Sequence, residues 1–286
     1  MNKIAIIADI HANRFALDAV IDALDSHRVD EVIVAGDMVG RGPQGSAVVE
    51  RIDDLDWAAL RGNHEDYLLS FCLDDIPDPW HHEEQWAASR WMAHELSSRA
   101  QRFIDTLPFS INSSIDPNIC VFHGSPNSHS EGIGPWTGEQ RLNHYLHQID
   151  GSLLVCAHTH RPLHYQNEGG TIINVGSVGL PFNGDWRAQF VILTGEPGQW
   201  EPSFHKVEYD RQAFLDHYSS SGFLDQGKVT AQLLYLEVRH ARPFLVPFLK
   251  WSEKTGRPPQ KSSLDAFLEI YDPNQSMREF FNSLSS

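Results

Sequence analysis

Lys3-Ile4-Ala5-Ile6-Ile7-Ala8-Asp9-Ile10-His11 begins with a short apolar run and ends in a carboxylate and an imidazole two residues apart. An apolar run with β-branched residues and no polar interruption describes a buried parallel strand. In extended backbone, residues i and i+2 point to the same side. Asp9 and His11 are therefore expected to converge at the C-terminal edge of the strand, where open α/β sheets place their ligands. A carboxylate oxygen beside an imidazole nitrogen suits a divalent metal. Alone, the pair reads equally well as an Asp capping the next helix followed by a solvated His.

The same event recurs further along. Val32-Ile33-Val34-Ala35 runs into Gly36-Asp37, and Trp57-Ala58-Ala59-Leu60 into Arg61-Gly62-Asn63-His64-Glu65. Ile119-Cys120-Val121-Phe122 runs into His123-Gly124, and Leu153-Leu154-Val155-Cys156-Ala157 into His158-Thr159-His160. Chance would scatter Asp, Asn and His over helix faces and loops. Here they collect at strand ends, which in a parallel sheet can all face one cleft. The set offers two Asp, one Asn and four His, with no Cys thiolate. Mixed oxygen and imidazole donors fit Mn, Fe, Zn, Co or Ni better than thiolate or all-oxygen sites. Seven donors exceed one tetrahedral zinc and match two metals that share a carboxylate.

The ordered blocks Asp9-x-His11, Gly36-Asp37, Gly62-Asn63-His64-Glu65, His123 and His158-x-His160 resemble the calcineurin-like metallophosphoesterases, most nearly the small bacterial phosphoesterases. The resemblance covers Lys3 to about Arg161, with a sheet-completing part reaching Tyr209. It implies an α/β fold, the four-layer α/β/β/α sandwich, over residues 1–208 with a helical insertion at about 76–107. Residues 209–286 then form a mainly helical C-terminal appendage. It also implies two divalent metal ions, Mn foremost, with Fe, Ni, Zn, Co or Mg as alternatives. Asp9, His11 and His160 would hold the first, Asn63, His123 and His158 the second, and Asp37 would bridge both. His64 would stay unligated beside the substrate as the catalytic residue, with Arg41 and Arg61 on the substrate phosphate.

The implied reaction is hydrolysis of a phosphate monoester or diester. Two cations about 3.5–4 Å apart clamp a phosphate and generate a bridging hydroxide that attacks phosphorus in line. His64 would protonate the leaving oxygen or stabilise its charge. A dinucleoside polyphosphate or a phosphoprotein presents the same phosphate. Two departures from the family pattern stand out. Ala157 replaces a usual Gly and is small enough to matter little. Gly40 stands where the protein phosphatases of the superfamily carry an Asp that orients the catalytic His, which argues against a strict phosphoprotein phosphatase. A different class of function, a catalytically silent scaffold that binds proteins, would be expected to have lost donors or His64; all are present.

Composition bounds the rest. The chain has 286 residues, 41% of them hydrophobic, enough for one large domain or a domain with an appendage. Its formal charge of −16 disfavours nucleic acid polymers and anionic membranes as partners. Two bound metals would offset that charge locally for a phosphate-ester substrate. Three cysteines, an odd number without C-x-x-C spacing, read as buried apolar residues of a cytoplasmic protein. No apolar run is long enough to span a membrane. A monomer or a homodimer is expected.

Along the chain, a helix is expected from Ala12 to His27 and another from Pro43 to Leu55. A long helical stretch, His82 to Leu107, carries Trp86, Trp91, Leu96 and Phe103. These aromatics read as packing against the sheet, or as a wall for a nucleoside base. Past His160 the pattern becomes strands only, with a hairpin at Leu163–Asn174. The helices expected beyond Tyr209 resemble no motif.

Overall fold

The computed structural model describes residues 1–284. Its strands are β1 (Asn2–Ile7), β2 (Glu31–Val34), β3 (Ala58–Ala59), β4 (Ser110–Asn112), β5 (Ile119–Phe122), β6 (Leu153–Cys156), β7 (Leu163–Asn167), β8 (Gly170–Asn174), β9 (Ala188–Glu196) and β10 (Gln199–Val207). They form two five-stranded sheets, ordered β10-β9-β1-β2-β3 and β4-β5-β6-β8-β7. β1 is the central strand of the first, parallel to β2 and antiparallel to β9. Its pleat divides its side chains by parity. Ile4 and Ile6 enter the core between the sheets, where they join Val121, Val155 and Ile173 of the second sheet. Ala5 and Ile7 face the helical layer on the other side. Burial of both faces is why the segment reads as unbroken apolar sequence.

The first helices are α1 (Arg14–His27), α2 (Gly45–Asp54) and α3 (Asn63–Cys72). Leu17, Val20 and Leu24 of α1 and Val48, Val49 and Ile52 of α2 line the core under the first sheet. The expected helical insertion follows, but in pieces. Two 3-10 turns, Asp78–His81 and Glu84–Trp86, precede α4 (Ala87–Glu95) and α5 (Ser98–Asp105). The break lies at Leu96-Ser97, where Leu96 turns extended and the Ser97 hydroxyl accepts the Ala100 N–H to start a new helix. α6 (Glu139–Leu146) forms the fourth layer, packing Leu142, Tyr145 and Leu146 on Leu154, Cys156 and Ile172. The α/β/β/α sandwich is therefore as expected, and the hairpin β7–β8 lies where the turn at Asn167–Gly170 placed it.

The C-terminal segment is α7 (Arg211–Ser220), α8 (Phe223–Gln226), α9 (Lys228–His240), α10 (Leu245–Thr255), α11 (Lys261–Leu268) and α12 (Met277–Ser283). It is two things rather than one appendage. Phe214, Tyr218, Phe223 and Leu234 belong to the same apolar core as α1 and β1. α10 to α12 close a separate core with part of α9, built of Phe248, Trp251, Phe267, Tyr271 and Phe280. Burying a phenylalanine such as Phe280 is worth about 1.5–3 kcal/mol, enough to hold α12 down. Among the described residues no helix is long and apolar enough to cross a membrane. The three cysteines are free, Cys120 and Cys156 buried in β5 and β6.

Candidate metal centre

β1 ends at Ile7, so Asp9 and His11 do not converge by strand alternation as the sequence led one to expect. Both adopt left-handed backbone, with φ of 51° and 49°. Hydrogen bonds to the next strand's exit loop hold them: Asp9 N–H to Gly36 O at 3.1 Å, His11 N–H to Asp37 O at 3.0 Å and Ala12 N–H to Met38 O at 2.8 Å. Asp37, His158 and His160 are left-handed as well. Five of the seven candidate ligands thus carry a conformation costing on the order of 1–3 kcal/mol each, the kind of strain that gathers at functional sites. Asn63 and His64 occupy the first turn of α3. His123 and His158 follow β5 and β6 of the second sheet, so the donors come from two facing sheets and not from one.

All seven side chains meet. Ligand atoms of Asp9, His11 and His160 lie within 4.8 Å of one another, as do those of Asp37, His123 and His158, and those of His11, Asp37 and His64. Asn63 Oδ1 is 3.2 Å from His123 Nε2. Each carboxylate is anchored through one oxygen and open through the other. Asp9 Oδ2 accepts the His158 N–H at 3.0 Å and Asp37 Oδ1 the His64 N–H at 2.9 Å. Asp9 Oδ1 is buried and has no hydrogen-bond partner among the described residues.

The imidazoles are tuned from behind. His11, His160 and His123 direct Nδ1 at the carbonyl oxygens of Val39, Leu180 and Ala35, at 3.2, 2.5 and 2.8 Å. A carbonyl only accepts, so in the neutral ring the proton sits on Nδ1 and Nε2 presents a lone pair. His11 Nε2 then faces His160 Nε2 at 3.1 Å, lone pair to lone pair. Asp9 Oδ1 is 3.5 Å from His160 Nε2, and Asp37 Oδ2 is 3.7 Å from His11 Nε2. Acceptors facing acceptors repel unless positive charge lies among them, so the donor set fits cations.

The proton affinities express the same need. Burial holds His11 and His160 well below the usual imidazole range. Burial also lowers His64 and His158 to about 4. His123 goes the other way. Burial opposes its charge, but the Asp37 and Asp9 carboxylates overcome that and push it up to about 10. Burial drives Asp9 well above the ordinary carboxylate range. Asp37 also meets a burial penalty, but His123, His64 and His11 outweigh it and hold it well below that range.

Glu65, quoted in the Gly-Asn-His-Glu block but given no role there, is fully buried behind the centre. Its Oε2 accepts the Gly62 and Asp37 N–H groups at 2.7 and 2.9 Å, and its Oε1 accepts those of Met38 and Val39. One carboxylate thereby clamps the loop that carries Asp37 to the start of the helix that carries Asn63 and His64. The signal was legible: an acid three residues into a helix, reaching back to the N-cap N–H.

Of the two arginines expected at the phosphate, Arg41 is at the centre and Arg61 is turned away. Arg61 donates to Asp66 at 3.0 Å and to the Ile104 and Asp105 carbonyls, tying α3 to the end of α5. Arg41 Nε donates to His64 Nε2 at 3.3 Å, and Arg41 Nη1 to Glu237 Oε2 at 2.8 Å. Glu237, fully buried on α9, also accepts the Phe244 and Leu245 N–H groups at 2.9 Å each. Sequence reasoning missed Glu237, which no local pattern ties to a centre nearly two hundred residues earlier. Gly40 is explained too. It has φ 78°, and a Cβ there would lie 2.3 Å from His64 Nδ1. His64 rests against bare backbone, so an Asp at that place has no room. Arg41 does the orienting instead.

Among the cavities that adjoin the centre, two flank it with contrasting linings, one smaller and one larger. The smaller, about 250 Å³, is lined by Asn63, His64, Tyr67, Trp86, Met92 and Leu234. Trp86 also packs on Trp80, Tyr67 and Phe71, residues of α3 and of the first 3-10 turn rather than of the sheet. Trp91 is packing alone, against Phe223. The larger cavity, about 1070 Å³, has His158 in its wall.

Residues 2–197 match the model of the calcineurin-like phosphoesterase superfamily domain. The chain belongs to the calcineurin-like phosphoesterase superfamily. An uncharacterized protein of Methanocaldococcus jannaschii is 27% identical over 210 residues, 73% of this chain and 81% of that protein. The crystal structure of a metallophosphoesterase from Sphaerobacter thermophilus is 27% identical with a TM-score of 0.68, covering 84% of this chain and 99% of that one. A hypothetical protein of Pyrococcus horikoshii shares the fold, with a TM-score of 0.71 at 20% identity, covering 85% of this chain and all of that one. Membership implies a phosphoesterase with divalent metal cofactors, and the Asp and His groups described above are the residues of this calcineurin-like chain that could hold them.

Proposed function

We propose that the chain is a metal-dependent hydrolase of phosphate esters whose centre takes two divalent ions. Asp9, His11 and His160 would hold one, Asn63, His123 and His158 the other, and Asp37 both. The observation that carries this reading is the convergence of lone pairs, above all His11 Nε2 on His160 Nε2 at 3.1 Å, without a donor between them. When bound, such ions neutralise phosphate charge and activate water near neutral pH. Mn is the first candidate for an imidazole and carboxylate set.

The chain's own groups do the rest. Arg41 places a guanidinium beside the centre, suited to a phosphate oxygen. His64, lowered to about 4, is neutral at pH 7. Arg41 occupies its Nε2, so its proton is on Nδ1. A neutral imidazole has no second proton to deliver, so the part of His64 at the leaving oxygen would be electrostatic. The apolar cavity beside His64 and Asn63 would exclude water from the leaving group.

The test is hydrolysis of p-nitrophenyl phosphate and bis-p-nitrophenyl phosphate after chelation, then with Mn, Fe, Co, Ni, Zn or Mg restored singly. Activity returning with a transition metal is expected, and the preferred ester separates monoesterase from diesterase. Folded protein inactive on both esters with every metal would contradict the proposal.

A further inference from the structure

The larger cavity has an unusual charge. The chain carries 38 Asp and Glu against 22 Lys and Arg. Yet the cavity is lined by Arg161, Arg242, Lys250 and Arg278 and by no Asp or Glu among the described residues. Several arginines elsewhere are matched to carboxylates, as Arg14 is to Asp18, Arg99 to Asp53 and Arg187 to Asp185. None of these four cations joins an ion pair among the described residues. Arg161 and Arg242 also act on each other as like charges, which adds to burial in holding Arg161 below the usual guanidinium range.

Arg161 is held in place. Arg161 Nε donates to Phe182 O at 3.2 Å, and its guanidinium lies over the Trp136 ring, 5.5 Å from the centroid. Arg242 lies over Gly184, where a Cβ would come within 2.4 Å of both its Nη atoms. Gly184 itself has φ 82°, a conformation that disfavours any side chain there. Between these arginines and the metal centre stands Phe182, stacked on His160 at 4.5 Å. The cavity reaches the centre through His158 in its wall, and three of its cations come from the last third of the chain.

An acidic protein that gathers guanidinium and ammonium groups, none in an ion pair among the described residues, beside a phosphate-processing centre is built for a second anion. We propose that the C-terminal segment forms a distal phosphate subsite, so that the preferred substrate is a phosphoester bearing at least one further phosphate group. The proposal rests on the phosphoesterase reading for the scissile phosphate. Two sources share this chemistry, a nucleoside polyphosphate and a sugar bisphosphate. Trp136, 60% exposed, offers a stacking face that only the nucleoside would use.

Binding to the chelated protein tests the subsite apart from catalysis. Isothermal titration with inorganic triphosphate should show binding to the unaltered chain, weakened by about tenfold or more in the Arg242→Ala/Arg278→Ala double variant. Equal affinity in the two proteins, or no binding to the unaltered chain, would overturn the proposal. With Mn restored, kcat/KM for a doubly phosphorylated substrate relative to p-nitrophenyl phosphate should fall in the variant. An unchanged ratio would also overturn it. ADP and fructose 1,6-bisphosphate compared, each with Trp136→Ala, identify the source: only the nucleotide should lose affinity with the ring. An unaltered chain that binds triphosphate through Arg242 and Arg278 but hydrolyses no ester would uphold the subsite and overturn the phosphoesterase reading instead.

Discussion

Replacing Gly40 with Ala probes how His64 is placed. The added Cβ would lie 2.3 Å from His64 Nδ1, 2.8 Å from its Cγ and 3.1 Å from its Cβ. Comfortable separation is about 3.5–4 Å, so the imidazole must retreat by roughly 1 Å. A φ of 78° adds strain of about 1–2 kcal/mol for any residue with a side chain. A 1 Å misplacement of a reacting group can cost on the order of a hundredfold in rate, whereas the strain is a small part of the stability of the fold. Gly40→Ala should therefore lower kcat on p-nitrophenyl phosphate by about 10- to 100-fold with bound metal unchanged. The decisive assay crosses it with His64→Ala. If the methyl acts through the ring, the double variant should be no slower than His64→Ala alone. Full kcat in Gly40→Ala, or the same loss repeated where the ring is already gone, would refute the reasoning.

Glu237→Gln breaks the buried pair with Arg41 while keeping its shape. It should cost about 3 kcal/mol in urea unfolding and lower kcat by freeing Arg41; an unchanged midpoint would dismiss the pair. Burial raises the Glu95 carboxyl to about 7, above its ordinary 4.5, so between those values the unfolded chain holds fewer protons and stability falls as pH rises. Glu95→Gln should then gain on the unaltered protein by about 1–2 kcal/mol from pH 5 to pH 8, a figure reduced for the group's partial exposure. Urea midpoints at the two pH values decide it, and a gain that shrinks with pH would reverse the sign. Chelation should lower the melting temperature, and metal restored to a hundred times its Kd should return about 2.7 kcal/mol per site. A melting curve indifferent to both would count against a metal centre.

The sequence made the fold legible because its strands are buried on both faces. Ile4 to Ala8 and Leu153 to Ala157 lie in the sandwich as their unbroken apolar runs require. The candidate ligands were legible because each interrupts such a run. How they converge was not. Left-handed backbone at Asp9, His11 and His158 is written in no propensity, since it is imposed by hydrogen bonds to neighbouring loops and strands. Arg61 shows a similar limit. Its neighbour in the sequence is Asn63, but its partners are Asp66 and the end of α5. Glu237 was hidden for a simpler reason. It bonds Arg41, far away in the chain, and a single sequence carries no sign of such a pairing.

The most direct measurement is the metal bound per chain after equilibration with Mn, by inductively coupled plasma mass spectrometry, for the unaltered protein and for Asp37→Asn. A centre in which Asp37 is shared should hold two ions in the first and at most one in the second. One ion or none in the folded unaltered chain, or two retained without the Asp37 carboxylate, would contradict it.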